Sequence, residues 1–82
     1  MIPRIKHVPN DQQLNAMIQD GMIAKMGVAT FGVFCYLSTK QLFGEQPASL
    51  ATMSKQLGMS EKLVQSALNY LVELGYAEIA GA

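Results

Sequence analysis

The sequence has little charge, a single cysteine, few aromatic residues and no tryptophan. Six Lys and Arg residues balance six Asp and Glu residues, so the formal net charge is zero and no global field attracts DNA or an anionic membrane. Any anion-binding site must therefore be a local patch. The lone Cys35 cannot form an internal disulfide, which indicates a reduced thiol and predicts a cytoplasmic location.

Long apolar runs and the residue sets of enzymes are also missing. The most apolar segment, residues 26–37, has twelve residues, whereas a membrane-spanning helix needs about 20. No Ser-His-Asp or Cys-His set and no phosphate-binding glycine loop is present, and His7 has no metal-ligating partner at ligand spacing. We therefore predict no catalytic residue, no metal, no cofactor and no membrane partner.

What the sequence does contain is enough apolar surface for one small domain, since half of its 82 residues are hydrophobic. Two prolines and alternating basic neighbours assign residues 1–9 to an extended N-terminal arm or an edge strand. Residues 10–82 are predicted to form the domain. Its first helix spans residues 11–20, because Asn10 can cap it with Gln13 and apolar residues follow at helical spacing.

A second helical stretch, residues 28–41, has apolar side chains on every side of the helical wheel. A helix with this pattern is expected to be buried all round, which so small a chain cannot easily achieve alone. We therefore predict a homodimer through Val28, Phe31 and Phe34. The alternative is an ordinary core helix that packs within one chain.

Shared helical spacing also predicts which side chains form the core. The predicted core residues are Leu14, Ile18, Phe31, Phe34, Leu37, Met53, Leu57, Val64, Leu68 and Leu71.

Two short helices separated by a very short turn follow in residues 49–75. Ser49 is placed to cap the first helix, Gly58 to end it and Ser60 to cap the second. Helices joined in this way cross at a steep angle, which is the geometry of a helix-turn-helix. Gly75 ends the last helix, and weak alternation after it predicts a strand.

This segment closely resembles the helix-turn-helix of bacterial winged-helix DNA-binding domains. The matching residues are Ser49, Met53, Ser54, Leu57, Gly58, Ser60, Val64, Leu68, Leu71 and Gly75. Ser54 stands where Ala is usual in that family, and Leu63 stands where Thr is usual. The resemblance implies a mainly α, winged helix-turn-helix fold. Its wing is expected to be short and incomplete, because one strand precedes Gly81 and Ala82, as in an excised domain or a truncated relative.

The last helix has a packing face and a polar face. The packing face carries Leu63, Val64, Ala67, Leu68, Leu71 and Leu74, and the opposite face carries Lys62, Gln65, Ser66, Asn69 and Glu73. Such a helix fits the major groove, where Gln or Asn pairs with adenine and Lys bonds guanine. The predicted DNA-binding residues are Ser49, Lys55, Ser60, Lys62, Gln65, Ser66 and Asn69, of which Gln65 and Asn69 are the best candidates to contact bases.

Two functions remain open at this point. The first is sequence-specific binding of double-stranded DNA, as a transcriptional regulator or as a replication or partition factor of a bacterium, plasmid or phage. The second is a winged-helix module for protein interaction or dimerisation without DNA binding. Zero net charge, Glu73 and the incomplete wing favour the second function. The polar side chains of Gln65 and Asn69 and the intact turn favour the first.

Overall fold

The computed structural model describes residues 2–46 and 49–80. In chain order the elements are β1 (Ile2–Ile5), α1 (Asp11–Gln19), α2 (Met22–Met26), α3 (Val28–Leu42), α4 (Leu50–Leu57), α5 (Glu61–Glu73) and β2 (Ala77–Ala80). The fold is mainly helical with a small two-stranded antiparallel sheet, as in a winged helix-turn-helix. The predicted fold class is therefore confirmed. Gly81 and Ala82, on which the expected truncation of the wing depends, lie outside the described residues.

The first helix begins where its capping residues predict. The Asn10 side chain accepts a hydrogen bond from the Gln13 N–H at 2.8 Å, and the Gln13 side chain accepts one from the Asn10 N–H at 3.0 Å. Gly21, at φ 80°, separates α1 from α2. The five-residue helix α2 was not predicted, because a segment this short shows no clear helical period.

The two strands pair with Ile5 opposite Ala77, and the Lys6 N–H donates to the Tyr76 carbonyl at 3.0 Å. The other edge of β1 is closed by a side chain. Gln41 accepts from the Ile5 N–H at 2.5 Å and donates to the Ile5 carbonyl at 3.0 Å. Because this amide takes the place of a neighbouring strand, β1 is fixed to α3 as well as to β2.

The core lies between α3, α4, α5 and the inner face of the sheet. The buried apolar residues are Ile5, Met26, Phe31, Val33, Phe34, Leu37, Met53, Val64, Ala67, Leu68, Leu71 and Ala77. Of the other predicted core residues, Leu14 and Leu57 are partly buried and pack against this core, and the prediction for Ile18 was wrong, because it is 46% exposed. Ile18 remains accessible because α1 packs mainly against α2 and not against the central helices.

Helix α3 is buried on one side, and the expectation that it is covered all round was wrong. Its buried residues are Thr30, Phe31, Val33, Phe34, Leu37 and Ser38, whereas Val28 is 78% exposed. Strand β1, α2 and α5 cover the buried side from within the same chain. Phe31 and Phe34 are therefore core residues that a second copy cannot contact, which corrects the predicted dimer contacts.

Helix α5 also departs from its predicted packing face at two positions. Val64, Ala67, Leu68 and Leu71 are buried as predicted, but Leu63 is 44% and Leu74 is 41% exposed. Both leucines lie roughly 70 to 90° from the centre of the buried arc at 100° per residue. They form the margin of the packing face.

Candidate nucleic-acid interface

Side-chain caps begin both helices of the motif, and one glycine ends the first of them. The Ser49 hydroxyl accepts from the Thr52 N–H at 3.2 Å, and the Ser60 hydroxyl accepts from the Leu63 N–H at 3.1 Å. Gly58 ends α4 in the left-handed region, at φ 67°. The predicted helix starts and the predicted turn of the helix-turn-helix are confirmed.

Ser54 has a role in this turn that the sequence did not indicate. Its hydroxyl donates to the Met59 carbonyl, and the Met59 N–H donates to the Ser54 carbonyl at 3.1 Å. The alanine usual at this position in winged-helix domains could make only the second bond. Ser54 therefore adds a side-chain bond across the turn between α4 and α5.

Replacing Ser54 with alanine is expected to lower the free energy of unfolding by about 1 kcal/mol, because a part-buried hydrogen bond across the turn is lost. Equilibrium urea denaturation measures this difference. Ser66→Ala is the matched control, since its hydroxyl lies on the exposed face of α5. The control is expected to change stability by less than about 0.5 kcal/mol. Equal effects of the two substitutions would show that the turn does not depend on Ser54.

The polar face of α5 is open to solvent. Lys62, Ser66 and Asn69 are exposed, while Val64 and Leu68 on the opposite side are buried. The core thus holds the helix rigidly with its polar face outward. Contact between these three side chains and DNA stays a prediction.

Gln65 and Asn69 are hydrogen-bonded to each other. The Gln65 side-chain amide donates to the Asn69 side-chain oxygen at 3.1 Å, across one turn of α5. Gln65 is half-buried and Asn69 is exposed. Gln65 also lines a cavity of about 130 Å³ together with Pro3, Ser49, Leu50, Met53, Leu68 and Ile79. Gln65 is therefore placed to orient Asn69.

The other predicted site residues lie at the starts of the two helices or on α4. Ser49, Lys55 and Ser60 are exposed. The Ser49 hydroxyl also donates to the Thr52 hydroxyl at 3.1 Å, so its proton is already used within α4. The Ser60 hydroxyl only accepts within the described residues, which leaves its proton available to an outside acceptor.

Charges around the motif are balanced. Lys55 and Lys62 are offset by Glu61 and Glu73 within residues 49–75. Within residues 2–46 and 49–80, the ion pair is between Lys40 and Glu45, at 3.3 Å, and it lies outside this motif. The two motif lysines are therefore not held by carboxylates within the described residues.

Other kinds of site find little support in the part of the chain that the structure describes. No group of three or more His, Cys, Asp or Glu side chains there is arranged to hold a metal ion. Burial raises the pKa of the Cys35 thiol, so the thiol stays protonated at neutral pH and is a poor nucleophile. None of the described helices has the length and apolar character to cross a bilayer.

Comparison with known proteins identifies one family. A family model described as a helix-turn-helix domain matches residues 26–77, from the last residue of α2 to the first residue of β2. No curated protein and no solved structure matches the chain. The family match covers more than half of the 82 residues. The chain therefore belongs to the helix-turn-helix domain family.

Proposed function

We propose that this protein is a winged-helix module that binds double-stranded DNA by placing α5 in the major groove. The observation that carries the proposal is the exposed polar face of α5, on a helix whose opposite face is anchored in the core. The major groove of B-form DNA is about 12 Å wide and admits an α-helix. Membership of the helix-turn-helix family also suggests DNA binding.

Asn69 is the residue best placed to contact a base. An asparagine side chain can pair with adenine by donating to one ring nitrogen and accepting from the exocyclic amine. The bond from Gln65 occupies one lone pair of the Asn69 oxygen and leaves the second lone pair and the amide protons to the base. Lys62 and Ser66 lie on the same exposed face and are further candidates for base or phosphate contact.

Phosphate contacts would position the helix without selecting a sequence. The starts of α4 and α5 lie at Ser49 and Ser60, where backbone N–H groups favour an anion. Lys55 lies in the last turn of α4 and supplies a positive charge. With a formal net charge of zero, one copy should bind random duplex weakly, with a dissociation constant of about 10⁻⁴ M or poorer at physiological salt.

The resemblance to bacterial winged-helix domains supports a role as a transcriptional regulator, or as a replication or partition factor of a bacterium, plasmid or phage. Either role would place the protein in the cytoplasm. A homodimer would double the phosphate contacts of one copy, which compensates for the balanced charge. Of the three predicted dimer contacts, Val28 is the accessible one, at 78% exposure.

DNA binding is tested by titrating labelled duplex pools at several salt concentrations. We expect retardation at low salt, and we expect Lys55→Ala to weaken binding to all sequences alike and to flatten the salt slope by about 1. Lys25→Ala is the matched control, because Lys25 lies on α2, which packs against α1 and α3. The control should leave the slope unchanged.

The opposite outcome would favour the interaction module. In that case no duplex is retarded at low salt, and a protein partner is recovered whose binding depends on Lys62 or Asn69.

A further inference from the structure

We infer that a cavity between residues 8–14 and helix α3 binds a small neutral phenol, with the ligand hydroxyl bonded to Ser38 and the ring against the apolar walls. The described residues that line this cavity belong to the segment before α1, to α1 and to α3. The site is therefore built from other elements than the proposed DNA interface on α4 and α5, and it goes beyond the proposed function.

The size and walls of the cavity fit one aromatic ring. Its volume is about 140 Å³, and its apolar walls are Val8, Pro9, Leu14, Phe34 and Leu42. An apolar cavity of about 150 Å³ stays dry and binds benzene. The aromatic ring of Phe34 also offers edge-to-face contact, the geometry that aromatic pairs prefer. A single ring can therefore fill this space and cover its walls.

Ser38 supplies the polar group of the site. It is 8% exposed and lines the cavity, yet its hydroxyl has no hydrogen-bond partner within residues 2–46 and 49–80. The neighbouring Thr39 hydroxyl, by contrast, donates to the Cys35 carbonyl one turn earlier, at 2.8 Å. An unpaired buried hydroxyl costs free energy, and a ligand that bonds to it removes this cost.

The groups around the opening favour a neutral ligand. Asp11 and Thr39 line the cavity and are exposed, so a ligand can enter from solvent on their side. The Asp11 carboxylate repels an anion such as benzoate. The Cys35 thiol also lines the cavity and stays neutral, because burial raises its pKa. The described lining residues therefore include an anion and no cation.

A bound ring would join α1 to the core. Helix α1 has no buried residue and packs mainly against α2, whereas Phe34 on α3 belongs to the core. A ligand between Leu14 and Phe34 contacts both helices. Local opening of α1 should therefore become rarer when the ligand is bound, which slows amide hydrogen exchange in this helix.

The test titrates the full chain with phenol, toluene and benzoate and follows the backbone amide signals by NMR. Phenol should bind with a dissociation constant of about 1 mM and shift signals of Val8, Leu14 and Ser38. Benzoate should bind at least about 10-fold more weakly than phenol. The absence of saturable shifts at these residues up to about 20 mM phenol would overturn the inference.

Ser38→Ala separates a bond to the hydroxyl from simple filling of the cavity. This substitution should weaken phenol binding by about 2- to 10-fold and change toluene binding by less than about 2-fold, because toluene has no group to pair with Ser38. Ser66→Ala removes the same atom on the exposed face of α5 and should change neither affinity. Equal losses for phenol and toluene would show that Ser38 does not bind the ligand, which overturns the proposed site.

A measurement on the unmodified chain gives an independent answer. Cys35 is the single cysteine and lines the cavity, so its reaction with a thiol reagent reports whether the cavity is filled. Phenol at five times its dissociation constant should slow this reaction by about 6-fold. The urea-unfolded chain is the control, in which phenol should have no effect. An unchanged reaction rate in the folded chain would contradict binding at this place.

Discussion

Phe34→Ala is expected to lower the free energy of unfolding by about 3 to 5 kcal/mol. Phe34 is 1% exposed, and its ring centroid lies 6.1 Å from that of Phe31 and 5.8 Å from that of Tyr76. The substitution removes these contacts and leaves a cavity between α3 and the start of β2. A domain of this size has a total stability of about 4 to 12 kcal/mol, so much of it would be lost.

Phe43→Ala supplies the matched control. Phe43 follows α3 directly and is 72% exposed, so the same atoms are deleted outside the core. Its loss should stay below about 0.5 kcal/mol in equilibrium urea denaturation. A loss below about 1 kcal/mol for Phe34→Ala would contradict its place in the core.

Helix starts and turns were predictable because their signals are local. Asn10 and Gln13 lie three residues apart, and each makes its bond within the same turn of helix. Ser60 and Gly58 likewise act on their immediate neighbours. The polar face of α5 follows from spacing, which correctly predicts that Lys62, Ser66 and Asn69 reach solvent. Spacing does not predict the exposure of Leu63 and Leu74 at the margin of the packing face.

The packing of α3 could not be predicted because its partners are distant in the sequence. Gln41 bonds to Ile5, 36 residues away, and Ile5 pairs with Ala77 at the other end of the chain. No local pattern places β1 over α3. Because the sequence does not show this cover, the apolar sides of α3 favour a second copy as their partner.

The candidate site likewise has one feature with a local sequence signal and one without. The bond between Gln65 and Asn69 has a sequence signal, since residues four apart on a helix are neighbours, but spacing alone does not show which of the two is half-buried. The cavity that joins Pro3 and Ile79 to Gln65 has no sequence signal. It depends on strand pairing across almost the whole chain.

Asn69→Ala is expected to weaken binding to the preferred duplex by about 1 to 3 kcal/mol, or about 5- to 150-fold, and to relax the sequence preference at one base pair. The physical reason is the loss of a side chain that can both donate to a base edge and accept from it. Asn15→Ala is the matched control, since Asn15 is exposed on α1. Selection from a random duplex pool identifies the preferred site, and fluorescence anisotropy at fixed salt measures the loss. An equal loss on every sequence would assign Asn69 to a phosphate.

Because Gln65 and Asn69 are hydrogen-bonded, their effects on DNA binding must also be measured together. If Gln65 orients Asn69, then Gln65→Ala weakens binding mainly by releasing Asn69, and the two losses overlap. The double variant should then lose about 0.5 to 3 kcal/mol less than the sum of the single losses. Strict additivity would mean that the two side chains contact separate base pairs. In that case Gln65 would have to leave the cavity beside Ser49 when DNA binds, because it is half-buried there in the unbound chain.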